Sequence, residues 1–381
     1  MKLLIVFIFS TNLLASSVFK IEPYIFLSDK NISYLAFELN QKEKIYLSLE
    51  NKFRQGFLNI SHMISPKKFY KIKLGKLECN QTYEYKLTIN NKQTKRVQSF
   101  ERPCNSKDAV KFAFISDTQS IKNRRWLGFQ RHKSIAQALS SQIDKEKLSF
   151  LVHAGDIVSE GGVNRDWLDF FKNAKNYLRK LPMISAIGNH EYYGEKIEGN
   201  PETFFKFFRS TSDSKRGSLL FELPQFNLLV HNTSYNFLTN DEVEDQFKWI
   251  KKVCLDSKKV NKKVILVSHH PAFSSSLGYI SRESNFIRER LVPLLEEVGN
   301  VPLVLAGHVH IYERSEKSGI TYLNAGSAGG IFNPTRLINP YSKFFAFFTA
   351  TYSILSVSDS KISIQTFDKD NSLIDEANLK I

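Results

Sequence analysis

The chain has 381 residues, 42% of them hydrophobic and 13% aromatic, with no low-complexity tract; this excludes a disordered chain and leaves room for two domains around a large core. The formal net charge of +15 comes from Lys and Arg scattered singly, without a dense basic helix or stripe, so no specific nucleic-acid partner is expected and the diffuse excess suits anionic substrates or surfaces. Three cysteines are too few for thiolate metal sites.

Residues 1–17 stand apart. Met1-Lys2 is a positive start, Leu3 to Ala15 is apolar except for Ser10, Thr11 and Asn12, and Ala15-Ser16-Ser17 offers small residues for cleavage. This reads as a signal peptide, and the run is short for a span, which needs about 20 apolar residues. No later segment qualifies, so the expectation is a secreted or periplasmic protein with no transmembrane span after cleavage. Asn31, Asn59, Asn80 and Asn232 head glycosylation triplets, which matter only in a eukaryotic secretory pathway, whereas the Lys- and Asn-rich composition points to a bacterial periplasm.

Residues 18–105 alternate apolar and polar side chains in short runs, such as Ile32 to Leu39 and Thr82 to Ile89, and predict a small antiparallel β-sandwich. Cys79 and Cys104 lie near one another and can bridge in an oxidising compartment, leaving Cys254 as a buried free thiol. A polar, Pro-containing linker, Glu101 to Asp108, separates this region from residues 109–381.

Beyond the linker, apolar strands alternate with amphipathic helices, the rhythm of an α/β domain. Strands are predicted at Lys111–Ser116, Leu148–His153, Met183–Ile187, Leu228–His231, Val264–Ser268, Leu303–Ala306 and Thr321–Leu323. Helices are predicted at Asn164–Leu178, Glu242–Cys254 and Asn285–Val298, each with one apolar stripe facing a core. After about Phe344 the pattern returns to β, at Ala350–Val357 and Lys361–Phe367.

Metal-competent residues follow five of these strands. They are Asp117-Thr118-Gln119, Gly155-Asp156, Gly188-Asn189-His190-Glu191, His269-His270 and Gly307-His308-Val309-His310. Taken singly, each is an ordinary strand end; together they hold five of the nine histidines. Ligands of open α/β sheets bind at the C-terminal strand ends. A mixed set of imidazole, carboxylate and amide suits a pair of borderline divalent ions, and two ions close together need a bridging carboxylate, for which Asp156 is the candidate.

These motifs, in this order and spacing, resemble the calcineurin-like metallophosphoesterase superfamily. The preceding β region makes the layout similar to its purple acid phosphatase branch. The resemblance implies a four-layer α/β/β/α catalytic domain behind a fibronectin III-like sandwich. It also implies that Asp117, Asp156 and His310 hold one metal, and that Asp156, Asn189, His269 and His308 hold the other. By the same resemblance His190 contacts the phosphoryl group and protonates the leaving alkoxide, His270 contacts phosphate or orients a ligand, and Arg124, next to Arg125, reaches the phosphate or is merely solvated.

Two departures stand out. Gln119 occupies a position where many relatives carry His, leaving at most a weak oxygen ligand. Ser159 occupies the position of the tyrosine that colours purple acid phosphatases, so an Fe(III)–tyrosinate is not expected and the two divalent ions are drawn from Fe, Mn, Zn or Mg. The expected activity is hydrolysis of small phosphomonoesters by a metal-bound hydroxide. The alternatives are a phosphodiesterase acting on cyclic nucleotides, nucleic acid or lipid head groups, and a non-catalytic binding or adhesion protein. Specificity is expected in the loops Gly194 to Lys215 and Ser274 to Arg282; oligomeric state is not readable.

Overall fold

The computed structural model describes residues 18–51, 58–75, 77, 82–89, 92–93, 98–101, 109–120, 125–194, 199–209, 217–276, 280–334 and 338–381. The expected leader, Cys79, Cys104, Arg124 and nearly all of the linker lie outside the described residues.

Two sheets pack face to face. In the first, strand Val110–Ile115 is flanked by Leu151–His153 and Met183–Ser185 on one side and by Thr351–Val357, Lys361–Asp368 and Leu373–Lys380 on the other. The second runs in the order Leu219–Glu222, Phe226–Val230, Lys263–Val267, Leu303–Ala306, Ile320–Ala325, Tyr312–Lys317 and Ser342–Ala346. Period-two alternation decides which residues each layer receives. Phe112 and Phe114 point into the core between the sheets, with Phe150, Val152, Leu228, Val230, Ile265 and Leu305. Ala113 and Ile115 point the other way, onto helices Arg125–Glu146 and Asn164–Leu178. On the outer face of the second sheet, Leu229, Leu266 and Val304 meet Phe247, Ile250, Cys254, Leu291 and Leu295. These three cores separate four layers, helix, sheet, sheet, helix. Cys254 is a buried free thiol, its pKa pushed up to about 12 by burial.

The predicted helix Glu242–Cys254 extends over Asn240–Lys259, started by a capping box in which Thr239 and Glu242 satisfy each other's backbone N–H. The third predicted helix is continuous from Arg282 to Val298 but widens into a π turn over Ile287–Leu291. Pro293 follows at once, and its missing N–H and ring break the regular i to i−4 ladder there.

The N-terminal strands have a core of their own, with Leu35, Phe37, Leu47, Tyr70, Tyr83 and Leu87 buried together. They are also hydrogen-bonded onto the first sheet. Strand Phe19–Ser28 runs antiparallel to Ile32–Asn51 and parallel to Met183–Ser185, with Phe26 opposite Met183, so the β region continues the catalytic sheet.

The last strand ties the two sheets together. Arg314 donates from Nε and Nη2 to the Asp375 carboxylate at 2.7 and 3.0 Å, and Tyr312 Oη donates to the same group at 2.8 Å. Burial alone would raise the Asp375 carboxyl, but Arg314 and Tyr312 hold it below its usual value. A depressed folded-state pKa stabilises above the unfolded value, and that contribution is lost as pH falls through the folded one. The Tm of Asp375→Asn is therefore expected to fall less steeply than that of the parent as pH drops below about 4; parallel Tm profiles would show the pair to be neutral.

Candidate metal centre

All five strand ends meet at one edge of the stacked sheets. Asp117, Asp156 and Asn189-His190 come from the first sheet, and His269 and His308 to His310 from the second. Three of these residues have left-handed backbone, Asp117 at φ 57°, Asp156 at φ 51° and His308 at φ 67°. Non-glycine residues seldom adopt that region, and each such residue costs on the order of 1–3 kcal/mol, held in place by surrounding structure. Gly155 beside Asp156 has φ 96°, and a Cβ there would lie 2.7 Å from the Gly188 nitrogen. Only glycine lets these two strand ends approach so closely.

The side chains form two adjoining groups. Ligand atoms of Asp117, Asp156 and His310 lie within 4.8 Å of one another, as do those of His269, His270 and His308. Asp156 touches both: its Oδ1 is 3.2 Å from His269 Nε2, and its Oδ2 accepts from Gln119 Nε2, also at 3.2 Å. His310 Nε2 lies 3.4 Å from Asp117 Oδ1. Asn189 Oδ1 faces two rings, His269 Nε2 at 3.1 Å and His308 Nδ1 at 3.0 Å.

Two of the rings, His269 and His310, are fixed on their far side as metal-ligating histidines require. His269 Nδ1 donates to the Ala154 carbonyl at 2.8 Å and His310 Nδ1 to the Ile331 carbonyl at 2.5 Å. His269 thus turns its Nε2 toward the Asp156 and Asn189 oxygens, which can only accept, so a cation is called for between them, whereas His310 Nε2 sits between Asp117 Oδ1 and the Gln119 amide nitrogen at 3.1 Å. Without metal that cation is a proton. Burial works against charge on His269, yet Asp156 lifts its pKa to about 9, while burial and the charge of His269 push His308 down to about 3. Burial would raise the Asp156 carboxyl, but His269, His190 and His308 hold it well below its usual range. Among the described residues, the buried Gln119 Oε1 has no hydrogen-bond partner. This mixed, deprotonatable nitrogen and oxygen set, with an orphaned amide oxygen beside it, fits two divalent ions.

The remaining expected residues divide in two. His190 stands at the mouth, its side chain 34% exposed, with Nδ1 donating to the Ser159 carbonyl at 2.6 Å and Nε2 3.8 Å from Asp156 Oδ2. His270 is buried, its Nδ1 held at 2.9 Å by Thr233 Oγ1 and its ring centroid 4.2 Å from that of His308. Ser159 bonds through its hydroxyl to the Ser120 carbonyl. A cleft of about 990 Å³ opens over the centre, lined by Gln119, His190 and Tyr193 on one side and by His310 and the 330–334 loop on the other. Of the two loops expected to set specificity, Gly194 alone lines it among the described residues.

Several supporting groups carry no local signature. The Glu191 carboxylate, fully buried, accepts from the backbone N–H of Asp156 at 2.9 Å, Ile157 at 2.7 Å, Val158 at 3.4 Å and Gly188 at 2.7 Å. It locks the loop bearing Asp156 to the loop bearing Asn189. In the sequence Glu191 closes the Gly188-Asn189-His190-Glu191 motif with no role of its own. His153 Nδ1 accepts from Gly155 N–H at 3.2 Å, and Asn333 Oδ1 accepts from His310 N–H at 2.6 Å. Glu191→Gln replaces an oxygen acceptor with an amide donor facing those N–H groups. Metal affinity is expected to fall about 10–100-fold, as for other outer partners of metal ligands; equilibrium dialysis checks this, and a drop in Tm alone would reduce Glu191 to a structural role.

The family comparison agrees with the geometry. The calcineurin-like phosphoesterase profile matches residues 110–312. A relative named probable purple acid phosphatase 20, from Arabidopsis thaliana, is 26% identical over 276 residues, covering 68% of this chain and 60% of its own length. Another, named a probable glycerophosphodiester phosphodiesterase GpdQ, from Arcobacter nitrofigilis, is 26% identical over 223 residues, covering 56% of this chain and 76% of its own. The chain thus spans little more than half the length of the plant relative. In fold it is similar to a purple acid phosphatase from yellow lupin (Lupinus luteus) seeds, with TM-score 0.76 at 17% identity over 94% of this chain and 74% of the other. With more than half of its residues matched and the strand-end ligand set assembled on the corresponding fold, the chain belongs to the calcineurin-like phosphoesterase family.

Proposed function

We propose that this protein is an exported dinuclear metallophosphatase that hydrolyses phosphomonoesters. The observation that carries the reading is Asp156, whose two carboxylate oxygens face the two ligand groups at once. Asp117, Asp156 and His310 would hold one divalent ion, with Gln119 as a weak oxygen ligand. Asp156, Asn189, His269 and His308 would hold the other. When bound, such a pair, drawn from Fe, Mn, Zn and Mg, would supply a nucleophile at neutral pH and positive charge to offset that of the phosphoryl group.

The chain's own residues do the rest. His190 has its Nδ1 committed to Ser159, so its Nε2 is the atom free to touch the phosphoryl group and deliver a proton to the leaving oxygen. The hydrogen bond to the Ser159 carbonyl keeps that ring aimed into the cleft. His270, its Nδ1 held by Thr233, packs its ring against that of His308 and would orient this ligand or contact the phosphate. Export rests on the apolar run after Met1-Lys2, and among the described residues no helix is long and apolar enough to cross a membrane.

A panel of phosphate esters with defined metals tests the reading. p-Nitrophenyl phosphate is expected to turn over faster than bis-(p-nitrophenyl) phosphate. The opposite order would favour a phosphodiesterase, a reading supported by the relative named for that activity. No turnover of any ester with any metal would leave a binding or adhesion protein. Because Ser159 replaces the tyrosine, the iron-loaded protein is expected to show no tyrosinate-to-iron absorption band in the visible spectrum; such a band would overturn the ligand assignment.

A further inference from the structure

The cleft is polar at one end and aromatic at the other. Ile331, whose carbonyl anchors His310, is 56% exposed, and Phe332 beside it lines the cleft with His190 and His310. Phe348, 64% exposed, packs edge-on against Phe332 with ring centroids 5.5 Å apart, and Phe347, 38% exposed, lies 3.9 Å from Phe348. Ile331 and Phe332 thus line the cleft, and Phe348 and Phe347, packed in turn on Phe332, extend this apolar surface outward from it as a shelf. Scattered surface apolar residues are ordinary, but a contiguous patch bordering a polar cleft marks a binding surface.

The shelf is built rather than incidental. Phe348 has φ 54°, a left-handed conformation that a bulky aromatic residue rarely adopts. Arg131 stands over the Phe332 ring, its guanidinium carbon 4.1 Å from the centroid, and donates to the Gly330 carbonyl on the same loop. The amide beside the shelf, Asn333, already accepts the His310 N–H through its Oδ1. A ligand part lying there would be held by apolar and ring contacts, not by polar readout.

We propose that Ile331, Phe332, Phe347 and Phe348 form the leaving-group subsite of this centre, and that its substrate is a phosphate ester whose leaving group is aryl or otherwise large and apolar. The assignment rests on the phosphatase reading above. With the phosphate at the ligand cluster, the leaving group is directed past His190 and His310 along the cleft wall that ends in Phe332. Ring-on-ring contact at such a surface selects for aromatic groups by roughly 3–10-fold per contact.

The test compares kcat/KM for 1-naphthyl phosphate and glycerol 2-phosphate in the metal-loaded protein and in Phe348→Gly and Phe347→Ser. Glycine accepts the left-handed backbone, so Phe348→Gly is expected to keep its Tm. The parent is expected to prefer the naphthyl ester, and the naphthyl-to-glycerol ratio to fall about tenfold in either variant. Calorimetric binding of 1-naphthylmethylphosphonate, which is not turned over, is expected to weaken by the same factor. An unchanged ratio with turnover intact would overturn the subsite and leave the phosphatase reading standing; failure of both esters in the parent would overturn both. Loss of binding to phosphatidylglycerol vesicles in the variants, with the ratio unchanged, would make the shelf a lipid-docking face and overturn the assignment.

Discussion

Asp156→Asn is expected to abolish turnover and to release metal, lowering affinity by more than the roughly 100-fold that outer partners of a ligand command. The side chain keeps its shape, and an amide oxygen can still accept the His190 N–H that Asp156 Oδ1 accepts at 3.0 Å. What disappears is the charge shared between the two ligand groups. In the metal-free protein His269 owes its proton to that charge, so the variant ring deprotonates rather than remaining an unpaired buried cation. The fold should therefore survive. Metal content after dialysis, read with circular dichroism and kcat, separates the outcomes: two retained ions with normal turnover would refute Asp156 as the shared ligand.

His190→Ala should behave in the opposite way, keeping both ions and losing about 10²–10⁴ in kcat, the range of a general acid. The ring meets the cleft through Nε2 and touches the ligand set through Asp156, its other contacts being the Ser159 carbonyl and the Tyr193 ring. A proton matters most when the departing oxygen is basic. The loss is thus expected to be larger for an alkyl phosphate than for p-nitrophenyl phosphate, whose phenolate leaves unaided. Equal losses on both esters would assign His190 to phosphate binding alone, and loss of metal would make it a ligand or a ligand's support.

The helix Arg125–Glu146 is not legible in the sequence because its buried side chains, Ile135, Ala136, Ala138, Leu139 and Ile143, include small ones and are interrupted by Ser140 and Ser141. Its apolar stripe is narrow, and tertiary packing supplies what amphipathicity does not. Glu191 was equally silent: a buried carboxylate whose partners are backbone N–H groups has no side-chain partner to find in sequence. The joining of the N-terminal strands to the catalytic sheet at Phe26 and Met183 leaves no local trace either, since strand pairing between distant segments is a property of the assembled sheet.

Residue type and its place at strand ends were enough to determine the family, the layered α/β architecture and the ligand candidates. The chemistry of Asp, Asn and His is carried by the residues themselves, and strands that run parallel bring their C-terminal turns to the same edge. Only the tertiary structure decided which ring nitrogen faces which oxygen. It alone set the His270 ring against His308 and joined Phe347 and Phe348 to Phe332 on a cleft lined by residues 330–334. Those relations depend on distances between strands of two different sheets, and no spacing along the chain encodes them.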